Sequence, residues 1–280
     1  MRAAPDEVSS AEIRTHAEQE VQSLLEDRGL VGKACAVAFL SFDSPESFIA
    51  AGDTDGHLTP LIGFLPLPLR GAALLETIAA IDENGPRLVS NYSITFAEDA
   101  ERLAGFTPGI EIDETPALAW LLAASSLVLG LDETDVTRAL EPSAGTVGLD
   151  TFVIEVGGCY VLDGRRLLRS LMSYRIGGVP TIDLARSVFE SLGAFAADAI
   201  VRMLRDWRAA AIVCAGDLFA GNAILRERAR RGLAGAGLPV LDQAAVRQPE
   251  EAGAPSPARL DDPPLVPVRL RAPRTSTMRG

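Results

Sequence analysis

The chain has 280 residues, a formal net charge of −12 at pH 7, 48% hydrophobic residues and 23% charged ones. A chain near this size buries roughly 75% of its unfolded surface, so it needs neither disulfides nor a metal to hold a core. Its acidic balance argues against general nucleic-acid or anionic-membrane binding, since both rely on basic surface.

Ser9-Ser10-Ala11-Glu12 reads as a capping box with Ser9 as N-cap. It would open a helix that carries Ile13, Ala17, Val21, Leu24 and Leu25 on one face and ends at Gly29. Before it, MRAAPDEVSS is polar and acidic and lacks the apolar core of a signal peptide. Residues 34–42 form a nearly continuous apolar run, the pattern of a strand buried on both faces. Residues 53–57 (DTDGH) are a turn. The apolar stretch 61–69 contains Pro66 and Pro68, so an edge strand or extended segment is expected there. A helix follows over 72–81, whereas 82–108 gives no legible element.

Residues 116–129 read as a helix. The apolar run there, 117–131, is shorter than the ~20 residues of a membrane span and is bracketed by Glu114 and Asp132, so a buried helix is expected. Residues 151–156 and 160–162 look like a hairpin around Gly157-Gly158. A helix from 165 to 174 is closed by Gly177-Gly178. The longest helix, 180–205, carries Leu184, Val188, Leu192, Phe195, Ala199 and Met203 at spacings of three or four.

Residues 209–241 follow as strand, loop with Gly216 and Gly221, helix from Asn222, and second strand. Beyond Gln248 the prolines and Arg259, Arg269, Arg271, Arg274 and Arg279 predict a disordered or extended tail, so a body over 1–247 and a tail over 248–280 are expected. The alternation of strands and helices gives an α/β class with a largely parallel sheet. Cys35, Cys159 and Cys214 are far apart and two of them sit in apolar runs, so reduced thiols in a cytoplasm are expected.

The loop at Gly216 is the most informative candidate site. Small residues let backbone N–H groups approach an anion, and the following helix dipole favours negative charge. A tight β–α turn with no ligand explains the same residues. A conventional catalytic kit is hard to assemble: the only histidines are His16 and His57. No G-x-x-x-x-G-K-[ST], H-E-x-x-H, C-x-x-C or G-x-S-x-G is present. A three-ligand zinc site would need carboxylates or the scattered cysteines, and His57 falls in a solvated turn.

In order, these pieces resemble the later part of the carbamoyltransferase domain of HypF, the maturation factor of nickel–iron hydrogenases. The family's H-H-H-A-H helix start is similar to Arg14-Thr15-His16-Ala17-Glu18. Its Gly-Leu helix end matches Gly29-Leu30, and its F-D-G-T strand end is similar to Phe42-Asp43-Ser44. Its R-P-F-P-L-P-G-G stretch resembles GFLPLPLRG at 63–71, and its L-L-G-L helix end resembles VLGL at 128–131. Its L-D-x-x-x-L-L-R-x-L, G-V-P break, long helix and S-G-G-V-F-x-N-x-x-L resemble 162–171, Gly178-Val179-Pro180, the helix after it, and AGDLFAGNAIL at 215–225. The resemblance covers residues 11–245.

It implies the actin-like ATPase (ribonuclease H-like) fold, in part, with Asp43, Gly216, Asp217 and Asn222 as remnants of a nucleotide cleft. It also implies partners among hydrogenase maturation proteins or hydrogenase subunits. The same residues have plain structural readings, Asp43 as a strand-end turn former, Gly216 as a tight-turn residue and Asn222 as an N-cap.

The departures from the family matter equally. The first and last histidines of H-H-H-A-H hold a metal against the nucleotide phosphates, and here those positions are Arg14 and Glu18. Arginine stays protonated and cannot ligate, so no tightly bound transition metal is expected at His16. The tandem glycine of the nucleotide loop has become Gly216-Asp217, and the family's acidic N-D-G-G element has no counterpart after Leu241. The domain's first lobe, and the acylphosphatase-like, zinc-finger and carbamoyl-adenylate-forming domains, are expected to lie outside this chain.

Three functions are compatible with these readings. The first is a non-catalytic accessory or scaffolding protein in hydrogenase maturation with no resident cofactor. The second is one part of a split carbamoyltransferase, using ATP or carbamoyl-adenylate, in which Asp43 and Asp217 hold magnesium through nucleotide oxygens. The third is a small-molecule sensor whose tail carries the output.

Overall fold

The computed structural model describes residues 15–44, 46–107, 117–132, 134–138 and 145–242. The expected Ser9 cap and the tail beyond Gln248 lie outside them. Helix α1 (His16–Asp27) is instead capped by Thr15: its hydroxyl accepts from Glu18 N at 3.2 Å, and the Glu18 carboxylate accepts from Thr15 N at 3.0 Å. Both Ser9–Glu12 and Thr15–Glu18 have the S/T-x-x-E spacing, and the second pair stands where the buried face of Ala17, Val21, Leu24 and Leu25 begins.

The chain continues through β1 (Cys35–Phe39), β2 (Phe48–Gly52), β3 (Leu58–Phe64), α2 (Gly71–Ala79), α3 (Gly85–Thr95), α4 (Ala97–Gly105) and α5 (Ala117–Val128). After these come α6 (Asp135–Arg138), β4 (Val153–Val156), β5 (Cys159–Leu162), α7 (Gly164–Ile176) and α8 (Thr181–Met203). The last elements are β6 (Ala211–Ala215), α9 (Asp217–Gly221), α10 (Ala223–Leu233) and β7 (Val240–Asp242). The strands form one sheet in the order β4-β5-β3-β2-β1-β6-β7. Strands β1, β2 and β6 are buried at every residue; the apolar runs predict β1 and β6, whereas β2 has no counterpart among the expected elements.

The sheet is mixed where a largely parallel one was expected. β1–β6, β6–β7 and β3–β5 pair in parallel, whereas β1–β2, β2–β3 and β4–β5 are antiparallel. The connections decide this, because parallel neighbours need a crossover of a dozen or more residues and β1, β2 and β3 follow one another too closely. Asp53 fixes the second of those turns, accepting from Asp55 N at 2.9 Å and His57 N at 3.0 Å. The bond from the His57 backbone holds its carboxyl below the usual range. Strand β3 also differs from expectation, because it is interior, between β2 and β5. Pro66 and Pro68 fall beyond its end, and Pro60, which cannot donate to a ladder, sits opposite Ala50 where the register shifts.

The illegible stretch 82–108 supplies two helices, α3 and α4, with only Gly85, Tyr92, Ala100 and Leu103 buried between them. So sparse a buried face leaves little periodic signal. Tertiary bonds hold them: the Tyr92 hydroxyl donates to Val128 O at 3.0 Å, and Arg175 of α7 pairs with Asp99 at 2.6 Å and lies 4.0 Å over the Phe96 ring.

The core has two parts. On one face of the sheet α1 packs Ala17, Val21, Leu24 and Leu25 against Val37, Phe39, Ala211 and Val213. The other face carries a larger core that takes in α8, α10 and the α2–α5 and α7 helices. α8 also serves a loop. Asp183, Ser187 and Ser191, one turn apart, accept from the backbone N–H groups of Gly145, Val147 and Leu149 at 3.3, 2.9 and 3.0 Å. Those bonds satisfy an extended segment that has no strand partner.

α8 and α10 touch backbone to side chain. A Cβ on Gly193 would lie 2.6 Å from Leu225 O, and one on Gly232 would lie 2.5 Å from the Ala197 Cβ. Gly193→Val gains only a few tenths of a kcal/mol in helix propensity, whereas forcing the two helices apart costs about 1–3 kcal/mol. A net loss of stability is expected in urea denaturation.

The thiols give a second check. Burial, with Asp53 nearby, pushes Cys35 up to about 11, and burial, with Asp242 nearby, pushes Cys214 up to about 12. Cys159 is exposed. A disulfide reagent at pH 8 is therefore expected to modify one thiol quickly in the native protein and all three after denaturation.

Candidate functional site

Parallel strands β1, β6 and β7 end on the same side of the sheet, the place where open α/β sheets bind ligands. The chain closes tightly there. Leu40 N donates to Ala215 O at 3.0 Å and Leu218 N to Leu40 O at 3.3 Å. Gly216 has φ +99°, and a Cβ on it would meet Leu40 O at 2.2 Å. Only glycine satisfies both the backbone angle and the close approach.

Two carboxylates occupy the backbone donors at this corner. The Gly216 N–H donates to Glu20 Oε1 of α1 at 2.5 Å. The Phe42 N–H donates to both oxygens of Asp217, at 2.9 and 3.1 Å. Asp217 therefore faces the backbone after β1. Asp43, the next residue after Phe42, is exposed in that turn. Serine hydroxyls hold the turn: Ser41 N donates to Ser47 Oγ at 3.0 Å and Ser44 N to Ser41 Oγ at 2.9 Å.

Asn222 lies between α9 and α10. Its Oδ1 accepts from Leu225 N at 3.0 Å, which caps α10. The residue is 2% exposed and its Nδ2 is buried with no hydrogen-bond partner among the described residues. The structure thus brings Gly216, Asp217 and the Phe42–Asp43 turn together and leaves Asn222 one short helix away.

The α1 residues diverge from one another. His16 is largely exposed, with Nε2 3.7 Å from the Glu20 carboxylate and its ring edge-on to Phe39. Glu18 turns elsewhere, accepting from Thr15 N and, at 3.2 Å, from Leu58 N. Arg14 lies outside the described residues. Among the described residues no group of three or more His, Cys, Asp or Glu could hold a metal ion. The residues present do not fit the metal that the HypF resemblance implies, because Glu18 is spent on backbone donors away from His16.

They do not fit nucleotide phosphates either. A free carboxylate about 4 Å from a phosphate is repelled by about 1 kcal/mol in water and about 4 kcal/mol at an effective dielectric of 20. Here Glu20 and Asp217 sit on the backbone donors themselves. Two site residues escape a reading of motifs. Glu20 carries one signal, its i+4 spacing from His16. Asp242, at the end of β7, is buried and paired with Arg230 at 2.6 Å, and nothing in its sequence neighbourhood marks it.

No family model matches the sequence. Protein HydE of Wolinella succinogenes is 26% identical over 229 residues, which are 74% of this chain and 39% of that protein. Full-length HypF, crystallised in a phosphate- and nucleotide-bound form, superimposes with a TM-score of 0.56 at 12% identity, over 82% of this chain and 39% of HypF. HypF of T. kodakarensis gives 0.51 at 14% identity, over 81% of this chain and 33% of HypF. The chain resembles HypF in fold, and it spans about two fifths of the relatives' length or less.

Asp217→Ala strips Phe42 N–H of its acceptor in a partly buried corner and is expected to cost about 1–3 kcal/mol of stability. Asp43→Ala, at an exposed turn, is expected to stay within about 0.5 kcal/mol of the parent. Urea denaturation of both variants checks the difference.

Proposed function

We propose that this chain is a non-catalytic, HypF-like accessory or scaffolding protein in nickel–iron hydrogenase maturation. Its body takes part of the actin-like ATPase (ribonuclease H-like) fold, and its partners are other maturation proteins or hydrogenase subunits in the cytoplasm. The fold likeness to HypF over about four fifths of the chain supports the pathway. The observation that carries the non-catalytic reading is the pair of carboxylates, Glu20 on Gly216 N–H and Asp217 on Phe42 N–H. Phosphoryl and carbamoyl chemistry needs donors and cations around developing negative charge, and removing one such donor costs about 10²–10³ in rate. At this corner the donors already hold negative charge that belongs to the protein. Gly216, Asp217 and Asn222 then keep the strand ends closed, and the exposed turn at Asp43 faces a partner.

Among the described residues no helix is long and apolar enough to cross a membrane. Capture of maturation proteins or hydrogenase subunits from the native cell by the tagged chain, identified by mass spectrometry, is the expected result for the partner assignment.

For the chemistry, the isolated chain is expected neither to hydrolyse ATP nor to transfer a carbamoyl group above background. Calorimetry with ATP and magnesium, followed by activity assays with and without candidate maturation proteins, tests this. Turnover abolished by Asp43→Ala or Asp217→Ala would replace the scaffold with the split carbamoyltransferase, in which ATP and magnesium are the ligands.

A further inference from the structure

A second polar site lies away from the strand ends, between α3 and α7. There the two helices line an open groove of about 420 Å³, within the 300–1,000 Å³ usual for small-molecule sites. Its charged groups are Arg87 and Arg169, its neutral donors include Asn91 and Ser173, and Leu88 and Tyr174 supply apolar wall. Among the described residues no carboxylate lines it, in a chain of net charge −12.

The two arginines are incompletely used. Arg169 gives one Nη to Asp82 at 2.7 Å, but its Nε is buried with no hydrogen-bond partner among the described residues. Leaving a buried charged donor unmade is costly, and 30% of the Arg169 side chain remains exposed beside it. Arg87 is exposed and makes no ion pair among the described residues. Asp82 spends its second oxygen on Asn84 N at 2.9 Å, and the Asp150 carboxylate lies 3.8 Å from Arg166.

We propose that the α3–α7 groove binds a small organic oxyanion. Its phosphate or carboxylate head lies on Arg87 and Arg169, and its apolar body lies against Leu88 and Tyr174. The planar guanidinium fork suits either head, because both offer two oxygens at matching spacing. The groove does not depend on the hydrogenase-maturation reading, since none of its residues belongs to the strand-end corner. Asp82 acts as an internal competitor for Arg169.

Calorimetry of the full chain with phenyl phosphate tests the site, with benzoate and inorganic phosphate as competing probes. Saturable binding is expected, weakened about tenfold or more by Arg87→Gln and by Arg169→Gln. Asp82→Asn keeps the acceptor for Asn84 N and releases Arg169, so it is expected to tighten binding several-fold. A merely structural arginine pair would not respond in that direction. Stronger competition by inorganic phosphate assigns a phosphate head, and stronger competition by benzoate a carboxylate head. Because Arg87 is exposed, its variant keeps the test valid even if Arg169→Gln fails to fold. No saturable binding, or binding that Arg87→Gln and Asp82→Asn both leave unchanged, would overturn the proposal.

Discussion

Strand β1 has no polar face. All five of its residues are buried, so it is stable only with a layer on each side and a strand on each edge. α1 covers one side and the core around α8 the other, while β2 and β6 take the edges. The parallel pairing with β6 aligns Phe39 with Ala215, and that register carries the chain after each strand to the same corner. Gly216 is pressed against Leu40 as a direct consequence.

The same closure determines what the corner can do. Packing α1 on β1 and β6 brings Glu20 to the Gly216 N–H, and the β6–α9 turn brings Asp217 to the Phe42 N–H. Each bond is charge-assisted and so among the stronger kind. Together they exchange an external anion for two internal ones. At this corner a fold like that of HypF thus holds two of its backbone donors with carboxylates of the chain itself.

The helices beyond β3 obey a different logic. α3 and α4 bury few residues, and their position depends on Tyr92, Asp99 and Arg175 meeting across the structure. α8 shows both kinds of contact at once. Its apolar stripe packs into the core, while Asp183, Ser187 and Ser191 supply the backbone donors of 145–149 with partners they would otherwise lack. α3 buries only Gly85 and Tyr92, and the groove between it and α7 is lined mostly by polar side chains.

The sequence by itself determined the elements whose signal is local. The apolar runs gave β1 and β6, the three-or-four spacing gave α8, the paired glycines gave the β4–β5 hairpin, and Asn222 gave the cap of α10. It also carried the likeness to HypF through the order of its motifs. Only the tertiary structure decided which capping box opens α1, that β3 is interior, that the sheet is mixed, and that 85–95 and 97–105 are helices. It alone placed Glu20 on Gly216 and turned Asp217 toward Phe42. The reason is physical. Periodicity and turn chemistry act within a few residues of chain, whereas register, buried polar pairing and the direction a carboxylate faces depend on groups as much as 196 positions apart in sequence, where no local pattern records them.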